Sequence, residues 1–173
     1  YPLLLCGTCL GHNSPMIVES NAALQPYNTF GIVAKARTLV RVRGADDVHA
    51  LMAHPELGQE PKFVLGGGNI VLTGAGKGVV LRAEVPGRRV VEDGPRGTVV
   101  EFGAGENWHD AVQWTVDQGL GGLENLALIP GTVGAGPVQN IGAYGIELQD
   151  RFESLDAIDL VAGKEFTLDA SPG

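Results

Sequence analysis

The sequence predicts a mixed α and β fold made of two successive units. Three observations carry that expectation. A period-two run is followed by an amphipathic helical segment between residues 38 and 54, and a second pair of β-branched runs is followed by another helical segment between residues 88 and 118. Between residues 121 and 145 lies an irregular stretch of small residues, longer than compact domains usually spend on a loop without function.

In the first unit, TLVRVR at residues 38–43 alternates as a half-buried strand does. Gly44 breaks the run, and Val48, Leu51 and Met52 of ADDVHALMAH then fall on one helical face. His49 and His54 point away from that face and are read as solvated. Residues 62–65 form a short strand that runs into Gly66, Gly67, Gly68, Asn69, Ile70 and Val71, and GVVLR at residues 78–82 supplies the next strand. This is a β-α-β unit with a glycine loop at a strand exit.

The second unit opens with RRVVE and TVVEFGAG, a hairpin whose turn lies in Asp93-Gly94-Pro95-Arg96-Gly97. A helix over residues 106–118 follows, with Trp108, Ala111, Val112, Thr115 and Val116 on the buried face and Gly119 after its C-terminus. Trp108 and Trp114 are read as packing residues. SLDAIDLV and EFTLDA make a last hairpin about the turn at residues 162–164. Nothing marks a domain end at Gly173, which predicts a longer natural chain.

Composition narrows the classes. The chain has 173 residues, 44% hydrophobic and 18% charged, enough to bury a core. Its 26 glycines are about twice the roughly 7% average usage and are clustered, as loops with special backbone angles or close ligand approach require. A net charge of −8 with 12 scattered Lys and Arg leaves no basic stripe for nucleic acid. A phosphate-bearing ligand would therefore rely on backbone N–H donors. Cys6 and Cys9 form one C-x-x-C without a second pair, so no metal or redox site is assigned, and a core without cysteine fits a reducing cytoplasm. Residues 1–15 lack a basic leader region and are too short to span a bilayer; they are read as an upstream, non-native tail, with Met16 as the start.

Three segments resemble nucleotide loops, and two fail on spacing. Residues 73–78 place Lys77 among glycines without the Ser or Thr of a P-loop, and are read as a turn. Gly103-Ala104-Gly105-Glu106-Asn107-Trp108 puts Trp where a dinucleotide fingerprint needs its third Gly. The third, Gly66 to Gly68, suits either an anion cradle of converging N–H groups or a plain turn. Residues 129–145 offer a stiff wall of small residues for a flat ring system, with Thr132 and Asn140 as hydrogen-bonding groups. Gln139 and Asn140 could equally satisfy loop carbonyls, and Tyr144 could be core.

Asn28-Thr29-Phe30-Gly31, LGGGN, GAGENWHD and GLENLALIPGTVGAGPVQNIGAYGIEL, with their spacing, resemble the UDP-N-acetylenolpyruvoylglucosamine reductase family. The similarity runs over residues 26–169 and is most specific at 122–148. It implies an α+β, two-subdomain FAD-binding fold of the vanillyl-alcohol-oxidase (PCMH) type, with subdomains at 16–83 and 84–173 and the C-terminal substrate domain absent. By this resemblance Gly66, Gly67, Gly68, Asn69, Ile70 and Val71 would hold the FAD pyrophosphate. Ile129, Gly131, Thr132, Gly134, Ala135, Gly136, Val138 and Gly142 would line the dinucleotide and flavin, and Tyr144 would face the substrate.

The implied activity is NADPH-dependent, FAD-mediated reduction of UDP-N-acetylglucosamine enolpyruvate to UDP-N-acetylmuramate, a cytoplasmic step of peptidoglycan precursor synthesis. A monomer without nucleic-acid or membrane partners is expected. The usual loop, LGGGSN, lacks its Ser here between Gly68 and Asn69, and residues 73–78 depart from the family's acidic-aromatic turn. The family's catalytic Arg, in a Tyr-Arg-Asp-Ser motif, and its Ser and Glu have no counterparts in this chain. Glu147, Asp150 and Arg151 are read as solvated, not as substitutes. The alternatives are a noncatalytic flavin-binding fragment or a different oxidoreductase of the same fold.

Overall fold

The computed structural model describes residues 15–28, 30–67, 78–95 and 97–170, and the backbone of residues 3–5. The central sheet forms because its middle strands bury an apolar face against the helix that follows and carry Leu39 and Val80 on the other face beside the paired Arg41 and Arg82. Lys35–Val42 (β3) lies between Ile17–Ala23 (β2) and Val79–Ala83 (β5), and Lys62–Leu65 (β4) closes the other edge, in the order β2-β3-β5-β4. β2 runs antiparallel to β3; β3, β5 and β4 run parallel.

Val40 and Val42 of β3 and Leu81 of β5 face the helix Ala45–Ala53 (α1), which contributes Val48 and Leu51 to the same cluster. Leu39 points to the opposite face and packs with Ala22, Leu24 and Leu65. Each fully buried Val or Leu of this kind contributes roughly 1.5–3 kcal/mol. Asp47 is also buried in the first turn of α1, where its carboxylate accepts the Arg43 N–H at 2.8 Å and pairs with the Arg43 guanidinium. The sequence pattern did not reveal β2. It is an edge strand whose IVESNAA run buries only Ala22, so alternation was too weak to read.

After the sheet come the hairpin Arg88–Gly94 (β6) and Gly97–Phe102 (β7), with a register shift between Val90 and Glu92. The helix Trp108–Asp117 (α2) is capped by Asn107, whose side chain accepts the Asp110 N–H at 3.1 Å. Trp108 is buried, and its indole N–H donates to the Leu126 carbonyl at 2.7 Å, so it is a packing residue as expected. Val116 is a correction: it is 46% exposed, because the buried face of α2 stops at Trp108, Ala111, Val112 and Thr115.

A small hairpin, Gly142–Ala143 (β8) with Ile146–Glu147 (β9), precedes the terminal hairpin Ser154–Asp159 (β10) and Glu165–Asp169 (β11). Leu3–Leu5 (β1) adds antiparallel to the outer edge of β10. Ile158 and Leu160 reach the cluster under α1 together with Val85 and Ala104, so one core joins the central sheet to the later elements. No helix among the described residues is long and apolar enough to cross a membrane. Two expected solvated histidines are engaged: His49 Nε2 lies 2.8 Å from a Glu165 carboxylate oxygen, and His54 Nδ1 accepts the N–H groups of Glu56 and Leu57.

The turn after β10 depends on Asp159, whose carboxylate accepts the N–H groups of Val161 at 2.7 Å and Ala162 at 3.1 Å. Those backbone bonds hold its pKa below the ordinary value. The stabilisation is therefore present above the unfolded-state pKa and is lost as pH falls through the lower folded-state value. Asp159→Asn should flatten the acid limb of a stability-versus-pH curve measured by urea denaturation. Leu81→Ala should cost about 2–5 kcal/mol in the same assay at neutral pH.

Candidate functional site

The glycine loop at the exit of β4 and the small-residue stretch far later in the chain meet in space. Gly66 faces the Ala135 side chain and the Thr132 hydroxyl: a Cβ on Gly66 would lie 3.2 Å from the Ala135 methyl and 3.4 Å from Thr132 Oγ1. A Cβ on Gly67 would overlap the backbone of Gly131. Only residues without side chains permit this approach. Gly68, Asn69, Ile70 and Val71 lie outside the described residues, as does most of the turn expected at 73–78.

The later stretch is held by backbone pairing to the strand-to-helix turn before α2. Gly131 accepts the Trp108 N–H at 3.1 Å, Val133 donates to Glu106 at 2.9 Å, and Gly134 donates to Ala104 at 3.0 Å. Asn107 and Thr132 bridge in antiparallel fashion. Gly134 must lack a side chain here, because a Cβ would come within 2.7 Å of the Ala104 methyl. The Ala104-to-Trp108 turn thus positions the site, a role that its failed dinucleotide spacing did not disclose.

Thr132 Oγ1 is buried and has no hydrogen-bond partner among the described residues. An orphaned hydroxyl costs about 1–3 kcal/mol if nothing satisfies it, so it fits a polar ligand group at the Gly66–Thr132 junction.

The remaining expected residues divide. Ile129 packs into the cluster around Trp108 and Leu126, and Gly136 approaches Leu148 and Ile141, so both shape the wall from behind. Gly142 faces Glu147 across the small hairpin. Val138 is exposed, and Tyr144 at the hairpin tip is 89% exposed with a φ of +53°, which rules out the core alternative for Tyr144. Asn140 is engaged within its loop, though with a carboxylate and a backbone N–H and not with the loop carbonyls expected. Its amide donates to Glu147 at 2.8 Å and accepts the Gln149 N–H at 3.0 Å.

The charges near this region are also engaged. Glu147 and Asp150 cap the turn at Leu148–Asp150 reciprocally, and Arg151 donates to the carbonyls of Gly122 and Asp150. The Glu124 carboxyl is held below its ordinary pKa, first by backbone N–H groups of its own loop and then by Arg151. Asn28 is buried and ties its loop together through Leu24 and Ile32, while Phe30 is exposed and Thr29 lies outside the described residues. Sequence reading missed the cluster at Tyr27. Arg82 stacks over the Tyr27 ring at 3.9 Å and pairs with Glu84, and Arg41 bonds Glu19 at 2.6 Å, Glu84 and the Tyr27 hydroxyl at 3.0 Å. The Glu19 hydrogen bond is the main cause of a raised Arg41 pKa. Only the tertiary fold brings these positions together.

No group of three or more His, Cys, Asp or Glu able to hold a metal ion occurs among the described residues. A cavity of about 470 Å³ is lined by β7, the loop at 120–123 and the start of β10, and also by Ala104, Trp108, Val133, Gly134, Pro137 and Leu148 from the turn before α2, α2 itself and the chain from the small-residue stretch to Leu148; neither Gly66, Gly67 nor Thr132 lines it.

Gly66 and Gly67 thus meet Gly131 and Thr132 beside an orphaned hydroxyl. The model of the FAD binding domain family matches residues 36–169, and the chain belongs to that family. Within it, the chain resembles the N-terminal part of UDP-N-acetylenolpyruvoylglucosamine reductases. The one from Azoarcus sp. (strain BH72) is 56% identical over 160 residues, covering 90% of this chain and 46% of the relative. That of Burkholderia orbicola (strain MC0-3) is 52% identical over 149 residues, 86% of this chain and 43% of the relative. A crystal structure of UDP-N-acetylenolpyruvylglucosamine reductase (MurB) from Thermus caldophilus superimposes with a TM-score of 0.69 at 25% identity, over 90% of this chain and 53% of that one. The chain spans about half the length of these proteins. The expected α+β FAD-binding fold is thereby shown.

Gly67→Ala should destabilise the chain by about 1–3 kcal/mol through overlap with Gly131. Gly94→Ala, where a Cβ meets nothing closer than 3.7 Å, should stay within about 0.5 kcal/mol of the parent. Thermal unfolding of the two variants checks the difference.

Proposed function

We propose that this chain is the FAD-binding part of a flavoprotein that reduces UDP-N-acetylglucosamine enolpyruvate to UDP-N-acetylmuramate with NADPH, in the cytoplasm, for peptidoglycan precursor synthesis. The observation that carries the reading is the junction of Gly66 and Gly67 with Gly131 and Thr132, with its unpartnered hydroxyl. The names of the relatives supply the substrate. Residues 16–83 and 84–173 act as the two subdomains that clasp the cofactor, with residues 1–15 as an upstream tail.

Gly66 to Val71 bind the pyrophosphate through backbone N–H groups, since the side chains there carry no positive charge. Thr132 donates its hydroxyl to the dinucleotide. Gly131, Gly134, Ala135, Val138 and Gly142 give a close-packed wall against the flavin, braced by Ile129 and Gly136, and Tyr144 faces the substrate. Bound FAD supplies hydride transfer from the nicotinamide donor to the enolpyruvyl group. The groups that steady and protonate that substrate lie in the half of the family's length this chain does not span, so the isolated chain binds flavin without turnover. A noncatalytic flavin-binding role is the second reading, favoured by that same coverage.

Titration of the purified chain with FAD, followed by flavin fluorescence, should show saturable quenching. Thr132→Val should weaken binding by about tenfold, the worth of one hydrogen bond to a charged or polar partner. Gly67→Asp should abolish binding, because its side chain would overlap the Gly131 backbone and force the two loops apart. Undiminished quenching in both variants would remove this site as the cradle. NADPH oxidation coupled to enolpyruvyl reduction by the 173-residue chain would overturn the absence of turnover.

A further inference from the structure

We infer that Glu106 is a positioning residue for the cofactor wall. Its carboxylate clasps the chain leaving β5 while its main-chain carbonyl holds Val133, so one residue sets how far the wall stands from the Gly66 loop. This role rests on the proposed flavin binding and adds to it a residue outside the expected cofactor contacts.

Residues 84–87 lead from β5 to β6, and β5 pairs in parallel with β4, which ends just before Gly66. The turn before α2 lies directly on that segment. Gly103 donates to the Gly87 carbonyl at 2.8 Å and Gly105 to that of Val85 at 2.9 Å, and a Cβ on Gly105 would lie 2.5 Å from Glu84 Cα. Glu106 then fastens the same segment through its side chain. The carboxylate accepts the Gly87 N–H at 2.8 Å and pairs with Arg88 Nε at 2.7 Å, and the side chain is only 13% exposed. Hydrogen bonds to an ionised group are roughly twice as strong as neutral ones. Arg88 also donates to the Asp110 carbonyl at 3.3 Å, which ties the start of β6 to the first turn of α2.

On the wall side, the Glu106 carbonyl accepts the Val133 N–H at 2.9 Å, between the Ala104 bond to Gly134 and the Asn107 bridge to Thr132. These restraints close a ring. Gly66 follows β4, β4 pairs with β5, β5 leads to Gly87 and Arg88, Glu106 joins these to Val133, and the neighbouring Thr132 faces Gly66 again. Within the ring Glu106 is a link made by a charged side chain, so substitution loosens it without touching the glycines. The Arg89–Glu101 pair on the same hairpin provides the contrast, because it joins β6 to β7 and not the hairpin to the wall.

The test measures FAD affinity by flavin fluorescence, and amide hydrogen exchange of Val133 and Gly134 without FAD, in Glu106→Ala, Glu106→Gln and the control Glu101→Ala. Glu106→Ala should weaken FAD binding about tenfold, alter the fluorescence that remains at saturation, and speed exchange of both amides about tenfold. Glu106→Gln keeps an acceptor for the Gly87 N–H and loses the charge pair, so it should recover part of each effect. Glu101→Ala should leave affinity and exchange at parent values. A merely structural role would instead lower the thermal midpoint in Glu106→Ala and leave the affinity and the bound-flavin fluorescence unchanged. That result, or an equal loss of affinity in Glu101→Ala, overturns the inference. Should Glu106→Ala fail to fold, unchanged affinity in Glu106→Gln overturns it and a severalfold loss supports it. Absence of FAD binding by the parent chain would remove the proposed function, whereas unchanged exchange at Val133 and Gly134 would remove the role of Glu106 by itself.

Discussion

The close approach of Gly67 to Gly131 is the constraint from which the rest of the site follows. Two segments more than sixty residues apart in sequence touch backbone to backbone, which no side chain at Gly67 would permit. The position of one loop then fixes the other. Residues 131–134 are in turn hydrogen-bonded to the turn that starts α2, and Asn107 both caps that helix and bridges to Thr132. The indole of Trp108 carries the restraint onward to Leu126. The wall of the cradle is therefore as rigid as the packing of α2, and an irregular stretch without long strands behaves as part of the core.

Electrostatics explain why such a wall is needed. The chain is acidic overall, and the half-buried arginines of the central sheet are committed: Arg41 to Glu19, Glu84 and Tyr27, and Arg82 to Glu84 and the Tyr27 ring. An anionic cofactor has no spare guanidinium from that cluster. Within the later loop the N–H groups of Val133 and Gly134 are already used to dock on the turn before α2, and those of Ala135 and Gly136 to hold the loop's own shape. That division gives the shaping to the second loop, with the Thr132 hydroxyl as the polar group that it leaves available, and this supports the proposed anion contacts at the first.

How much of this was legible depended on whether a signal was local. The strand at β3, the helix α1 and both hairpins show themselves through period and turn chemistry, because each buries a face that its own sequence marks. β2 was not legible, since an edge strand with one buried residue leaves no alternation. Val116 was misassigned because helical spacing gives the centre of a buried face and not its margin. Among the expected site residues, Gly66 and Gly67 were read as an anion cradle or a turn and Thr132 as a hydrogen-bonding group; their packing against Ala135 and Gly131 is a contact between two distant loops that no local signal marks. Asn140 reads as a ligand or a brace equally well from sequence, and only the positions of Glu147 and Gln149 decide for the brace. The Tyr27 cluster is drawn from four separate strands and loops, so no window of sequence contains it.

The two halves of the molecule are unequal in a way that composition does not predict. The four-stranded sheet has its middle strands buried on both faces, by α1 on one side and by the Leu39 and Leu65 cluster on the other. The later elements instead form separate two- and three-stranded pieces arranged around a cavity, tied to the first core through Ala104, Ile158 and Leu160. Small isolated sheets are marginal on their own, so what order they have comes from α2 and from that shared core. The cofactor cradle sits where the two halves meet, at the exit of β4 and the start of α2. The geometry of this junction therefore rests on the four-stranded sheet for its position and on α2 for the rigidity of the wall.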